Sequence, residues 1–293
     1  MKNTAVHVSL VSIVVNVLLT LLKGIIGLWA HSSVLLSDAV HSASDVGSTL
    51  VVLLGLRLAG RAPDAGHPYG HERLESVASM LLAVMLAIAG YEIGRASLQS
   101  LLSGQAAVLS SPMAMAAAAI SIIVKEWMFR YTRRAAKACR STALMADAWH
   151  HRSDALSSVA ALIGLVLARL GLPFMEAIAS LGVCVFIFKA AWDILADSID
   201  RLVDHACPEE TQAAIRESIL AVDGVKQIDS LMTRLFGAGM YVDAEIAVDG
   251  SLSLREAHDI AERVHKRIEQ SFPECRHCMV HVNPAAEEDN GHE

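Results

Sequence analysis

The chain has 293 residues, of which 54% are hydrophobic and only 19% charged, with a mean hydropathy of +0.44 and a net charge of −7. The charge is unevenly divided: residues 1–205 carry 16 Lys/Arg against 14 Asp/Glu, and residues 206–293 carry 8 against 17. This excludes an ordinary soluble globule and a basic nucleic-acid binder, and predicts a membrane domain followed by an acidic soluble domain.

Six apolar stretches of bilayer-spanning length lie at about 6–28, 34–58, 74–101, 112–131, 142–169 and 174–199. The first is too long and too weakly preceded by charge to be a signal peptide. Basic residues set the orientation. Arg57, Arg61 and Arg73 flank the connection after the second stretch, and Arg130, Arg133, Arg134, Lys137 and Arg140 follow the fourth. The intervening connections hold no Lys or Arg, apart from Arg169 after the fifth stretch. Both termini are therefore expected in the cytoplasm, with the chain a multi-pass protein of the cell (inner or plasma) membrane. Lys125, near the end of the fourth stretch, is expected to snorkel inward and is assigned no chemistry.

Beyond Arg201 the pattern is that of a small α+β domain. Helical spacing covers Glu209–Ala221, strands are expected at Val225–Leu235 and Gly239–Val248, and a helix at Ser253–Phe272 opens with a Ser253/Glu256 capping box. A third strand is expected at Cys278–Asn283. The order αββαβ predicts an antiparallel sheet with helices on one face. The expected division is 1–205 membrane domain, 206–284 soluble cytoplasmic domain, and 285–293 flexible tail. Five cysteines, at 139, 184, 207, 275 and 278, are odd in number and dispersed, against a secreted disulfide scaffold. Cys275 and Cys278 are expected to be reduced surface thiols, because one C-x-x-C lacks the second ligand pair of a structural zinc site.

The chemistry lies in an internal repeat. The second stretch reads Asp38-Ala-Val-His41-Ser-Ala-Ser-Asp45, and the fifth reads Asp147-Ala-Trp-His150-His-Arg-Ser-Asp154. His and Asp four residues apart share one helix face, within about 40°. The two stretches are antiparallel, so His41, Asp45, His150 and Asp154 can close a four-ligand cage. Two imidazoles and two carboxylates suit a tetrahedral divalent ion such as Zn²⁺. Helix–helix glue is the competing reading of such polar residues, and the duplication argues against it. Asp38 and Asp147 are supporting candidates, as imidazole acceptors or path-lining groups.

These two motifs, together with the loop Asp64-Ala-Gly-His67-Pro-Tyr-Gly-His71-Glu72, resemble the cation diffusion facilitator family over nearly the whole chain. The resemblance implies a homodimeric exporter in the lipid bilayer that exchanges cytoplasmic divalent metal for protons. It also implies a metallochaperone-like fold for residues 206–284, serving as a metal-binding and dimerisation domain, and a transport quartet at His41, Asp45, His150 and Asp154. Zn²⁺ is the implied cargo, with Fe²⁺, Mn²⁺, Co²⁺ and Cd²⁺ open. A loop metal site is implied at Asp64, His67 and His71, and a cytoplasmic-domain site at Asp229, Glu245, His258 and His281. Glu245 and Asn283 depart from the zinc-type pattern there. An enzyme is not expected, since H-E-x-x-H is absent. A metal sensor or assembly scaffold with little transport is the alternative.

Overall fold

A computed structural model of the chain describes residues 2–29, 33–103, 112–169 and 175–285. Most of the expected tail, from residue 286 onward, lies outside the described residues. The chain divides into two compact units, Met1–Ile199 and Asp200–Glu293.

Among the described residues, the first unit is built of α1 (Lys2–Trp29), α2 (Ser33–Ala59), α3 (Arg73–Ser103), α4 (Pro112–Cys139), α5 (Thr142–Arg169) and all but the last turn of α6 (Met175–Leu202). Among the described residues, α1 and α3 are long and apolar enough to cross a membrane by length and composition alone. The other four reach 27 or 28 residues, about 40 Å, but carry charged side chains along their length.

Helix α4 departs from expectation: it continues to Cys139, well past residue 131. Its basic run is therefore the solvent face of a helix, with Arg130, Arg133, Arg134 and Lys137 exposed. Met128, Phe129, Thr132, Ala136 and Cys139 are buried on the other face. The helix stops at Arg140, which turns into the left-handed region (φ 52°) while the Ser141 N–H donates to the Ala136 carbonyl at 2.9 Å. Ser141 then opens α5, its hydroxyl accepting from the Leu144 N–H. This two-residue reversal sets α4 and α5 side by side.

The second unit runs α7 (Glu209–Leu220), β1 (Gln227–Phe236), β2 (Gly239–Val248), α8 (Leu254–Ser271) and β3 (Cys275–Pro284). The sheet order is β1-β2-β3, and the sheet is mixed where an antiparallel one is expected. β1 and β2 form an antiparallel hairpin turned at Gly237 (φ 57°), whereas β3 pairs parallel to β2. The reason is the α8 crossover, which returns the chain to the same end of the sheet before β3 begins. Alternate β2 residues (Val242, Ala244, Ile246) pack with Ile215 and Ile219 of α7 and Ile260, Val264 and Ile268 of α8. The capping box is formed: the Ser253 hydroxyl accepts from the Glu256 N–H, and the Glu256 carboxylate accepts from the Ser253 N–H.

Candidate metal centre

Three of the four residues expected in the cage come together inside the first unit. Asp45 on α2 and His150 and Asp154 on α5 each bring one ligand atom within 4.8 Å of the other two, and all three side chains are buried. His150 Nε2 lies 3.2 Å from Asp45 Oδ1 and 3.9 Å from Asp154 Oδ2. The side chains of His41 and Asp38 lie outside the described residues. The helices run antiparallel: four residues on from Asp45, Thr49 donates to Asp147, which precedes His150 on α5.

Lys125 is a correction. It does not snorkel. Its side chain is 3% exposed, and its Nζ donates to Asp45 Oδ2 at 2.6 Å and to Asp154 Oδ2 at 2.9 Å. Because α4 runs to Cys139, Lys125 stands near the middle of the helix, about 20 Å from either end, beyond the reach of a lysine side chain. One feature of the sequence could have found it. An ionisable residue within an apolar span needs a buried partner, and two neighbouring spans offer carboxylates.

Asp147 is fully buried but stands apart from the ligand cluster. Its Oδ1 accepts from Thr49 Oγ1 at 3.1 Å, and its Oδ2 lies 3.5 Å from Nε2 of the fully buried His151. His151, the second histidine of the His150-His151 pair, was not singled out from the sequence. Further polar groups cluster on α1, where Lys23 donates to Ser42 of α2 at 2.9 Å and Ser12 meets Thr132 of α4 at 3.5 Å.

The loop between α2 and α3 gathers Asp64, His67 and His71 into a second group of potential ligands. Asp64 Oδ1 accepts from the Gly66 and His67 N–H groups at 2.9 and 2.8 Å, which fixes the turn. His67 Nδ1 lies 3.1 Å from Asp64 Oδ1, and His71 Nε2 lies 3.4 Å from Asp64 Oδ2. The two imidazoles are 4.4 Å apart, with Gly70 at φ 88° turning the chain between them. Hydrogen bonding with the His67 ring, joined by the backbone N–H groups, holds the Asp64 carboxyl below its ordinary range.

The cytoplasmic-domain candidates are less gathered. Glu245 of β2 and His281 of β3 are register partners, and Ser230 of β1 faces Glu245 from the other side. Asp229, at the β1 bulge, accepts from Asn283 Nδ2 at 2.9 Å and from Gln227 Nε2 at 2.7 Å. His258 lies on α8, and these residues form no close ligand group among the described ones. The cysteine expectation is also corrected. Cys278 is buried in the domain core, and burial pushes its thiol up to about 12, while Cys275 is half-buried.

Comparison with known proteins covers both units. The family model of the cation efflux transmembrane domain matches residues 9–203, and that of the cation efflux protein cytoplasmic domain matches residues 207–285. An uncharacterized transporter of Methanocaldococcus jannaschii is 38% identical over 94% of this chain and 96% of its own. The manganese efflux system protein MneP of Bacillus subtilis is 31% identical over 96% of each chain. A nickel form of a MamM C-terminal-domain variant is 24% identical, covering 27% of this chain and all of that one, with a TM-score of 0.27.

Proposed function

The chain belongs to the cation diffusion facilitator family of divalent-metal transporters, and on that premise we propose that it exports Zn²⁺ from the cytoplasm in exchange for protons. It is a metal efflux protein of the membrane, with a helical transmembrane domain and a cytoplasmic α/β domain. The observation that carries the reading is the convergence of Asp45, His150 and Asp154 from two antiparallel helices. His41, one turn before Asp45 on α2, completes a set of two imidazoles and two carboxylates, which suits a tetrahedral Zn²⁺. All four groups bind protons in competition with metal, which supports proton exchange as the return step. In this reading all six helices of the first unit cross the membrane, both termini face the cytoplasm, and residues 206–284 pair two copies of the chain.

The Asp64–His67–His71 group is the proposed cytoplasmic entry site, with three protein ligands and remaining positions open to water. Asp229, Glu245, His258 and His281 are a proposed regulatory site that needs local rearrangement to gather. Mn²⁺ is the second cargo reading, favoured by the manganese efflux relative and by the carboxylate content of the cage. The test is flux of Zn²⁺, Mn²⁺, Fe²⁺, Co²⁺ and Cd²⁺ in proteoliposomes at controlled pH on both faces. Zn²⁺ flux that rises with an opposing pH gradient supports the proposal. Metal binding without flux supports the sensor reading instead.

A further inference from the structure

We propose that Lys125 is a tethered counter-cation of the transport site, which the transported ion must displace on entry and which helps expel that ion on release. The inference rests on the proposed transport role of Asp45 and Asp154. The Lys125 ammonium takes the Oδ2 atoms of both carboxylates, at 2.6 and 2.9 Å, from a third helix that lies outside the repeated motif. A metal ion held by the same two oxygens would sit about 2 Å from each. The ammonium and the ion then compete for the same lone pairs, within a distance at which two cations repel strongly.

Three consequences follow from this geometry. First, Asp45 and Asp154 are not left bare when the cargo is elsewhere. A buried carboxylate stripped of its partner is costly, and the ammonium offsets one of the two negative charges, leaving the exchanged protons to offset the other. Second, the ammonium lowers the site's affinity for its cargo and speeds release, because its return is an intramolecular step at high effective concentration. Third, the site discriminates by charge. A divalent ion outbids a tethered monovalent cation at two carboxylates, whereas Na⁺ and K⁺ bring no greater charge than the ammonium they would replace. His150, 3.2 Å from Asp45 on the opposite oxygen, remains as the neutral ligand that favours a transition metal over an alkali ion.

The unmodified protein provides one test. A membrane-permeant carbodiimide activates a carboxylate as its O-acylisourea; the lysine amine then attacks, an amide forms, and the urea departs with the oxygen. The proposal predicts a Lys125–Asp45 or Lys125–Asp154 cross-link by peptide mapping, suppressed by saturating Zn²⁺ or Mn²⁺ and unaffected by K⁺. A cross-link yield indifferent to either divalent ion would overturn it. The second test uses Lys125→Met and Lys125→Arg in proteoliposomes. With Lys125→Met, KM for Zn²⁺ falls about tenfold and kcat falls with it, and Lys125→Arg restores both towards the parent values. A raised KM in Lys125→Met, or no rescue by Lys125→Arg, would make Lys125 a packing residue instead. Failure of the transport reading is separable, because metal-sensitive cross-linking without flux of any ion sinks only that reading.

Discussion

Thr49 on α2 donates its hydroxyl to Asp147 on α5 at 3.1 Å, one helical turn from the Asp45–His150 pair. This hydrogen bond ties α2 to α5 beside the group of Asp45, His150 and Asp154. Thr49→Val removes the donor and leaves a fully buried Asp147 oxygen short of a partner, at a cost of about 1–2 kcal/mol. The expected outcome is a lower unfolding temperature in detergent and several-fold slower flux, with the ion ranking unchanged. A changed ranking would place Asp147 among the groups that touch the cargo.

Helices α2 and α3 meet at an equally tight point. A Cβ added to Gly55 would clash with the Ala78 Cβ, so Gly55→Ala forces the helices apart. Overpacking of this kind costs about 1–3 kcal/mol. Gly55→Ala combined with Ala78→Gly moves the methyl from one helix to the other and is expected to recover most of the loss. Thermal unfolding of both single variants and the double variant measures that coupling. Simple additivity would mean the contact does not limit the packing.

If the proposed cage holds the cargo, its imidazoles are expected to set the selectivity. His150→Asp replaces the imidazole that lies 3.2 Å from Asp45 with a further carboxylate, and the resulting oxygen-rich set favours harder ions. Mn²⁺ flux relative to Zn²⁺ is expected to rise about tenfold or more. An unchanged ratio, measured with both ions in the same vesicles, would show that His150 does not set the preference.

In the cytoplasmic domain the Ser253 hydroxyl and N–H both donate to Glu256, holding its carboxyl below its ordinary value of 4.5. A depressed carboxylate pKa stabilises the fold above that ordinary value, and the contribution is lost as pH falls through the lower folded-state value. Protection of the first-turn amides of α8, taken relative to their intrinsic exchange rates at each pH, is therefore expected to fall below about pH 4.5. Ser253→Ala, which removes a cap worth about 1 kcal/mol, should quicken their exchange roughly fivefold at neutral pH. Exchange unaffected by either change would show that the cap does not hold the helix end.

How legible each part was in the sequence depends on the range of the interaction. Asp45, His150 and Asp154 are readable because a four-residue spacing fixes a helix face, and the repeat then pairs the faces. The Ser253–Glu256 cap is readable for the same local reason. Lys125 was misread because hydropathy falls at Arg130 while the helix does not end: Thr132 and Ala136 keep one face buried as far as Cys139. The parallel pairing of β3 was missed because strand alternation states which residues share a face, not which strand edge they meet. Cys278 follows from that pairing, since its partner Val242 lies in the domain core and takes the thiol in with it.

The central claim is that Asp45 and Asp154 carry the transported ion. The direct measurement is Zn²⁺ and Mn²⁺ flux in proteoliposomes containing Asp45→Asn or Asp154→Asn protein, alongside the parent. Asparagine keeps the size of the side chain but removes the charge that holds both Lys125 and the cargo. Flux of both ions should fall about a hundredfold or more in each variant, while insertion and self-association persist. Near-parental flux in both variants would contradict the account.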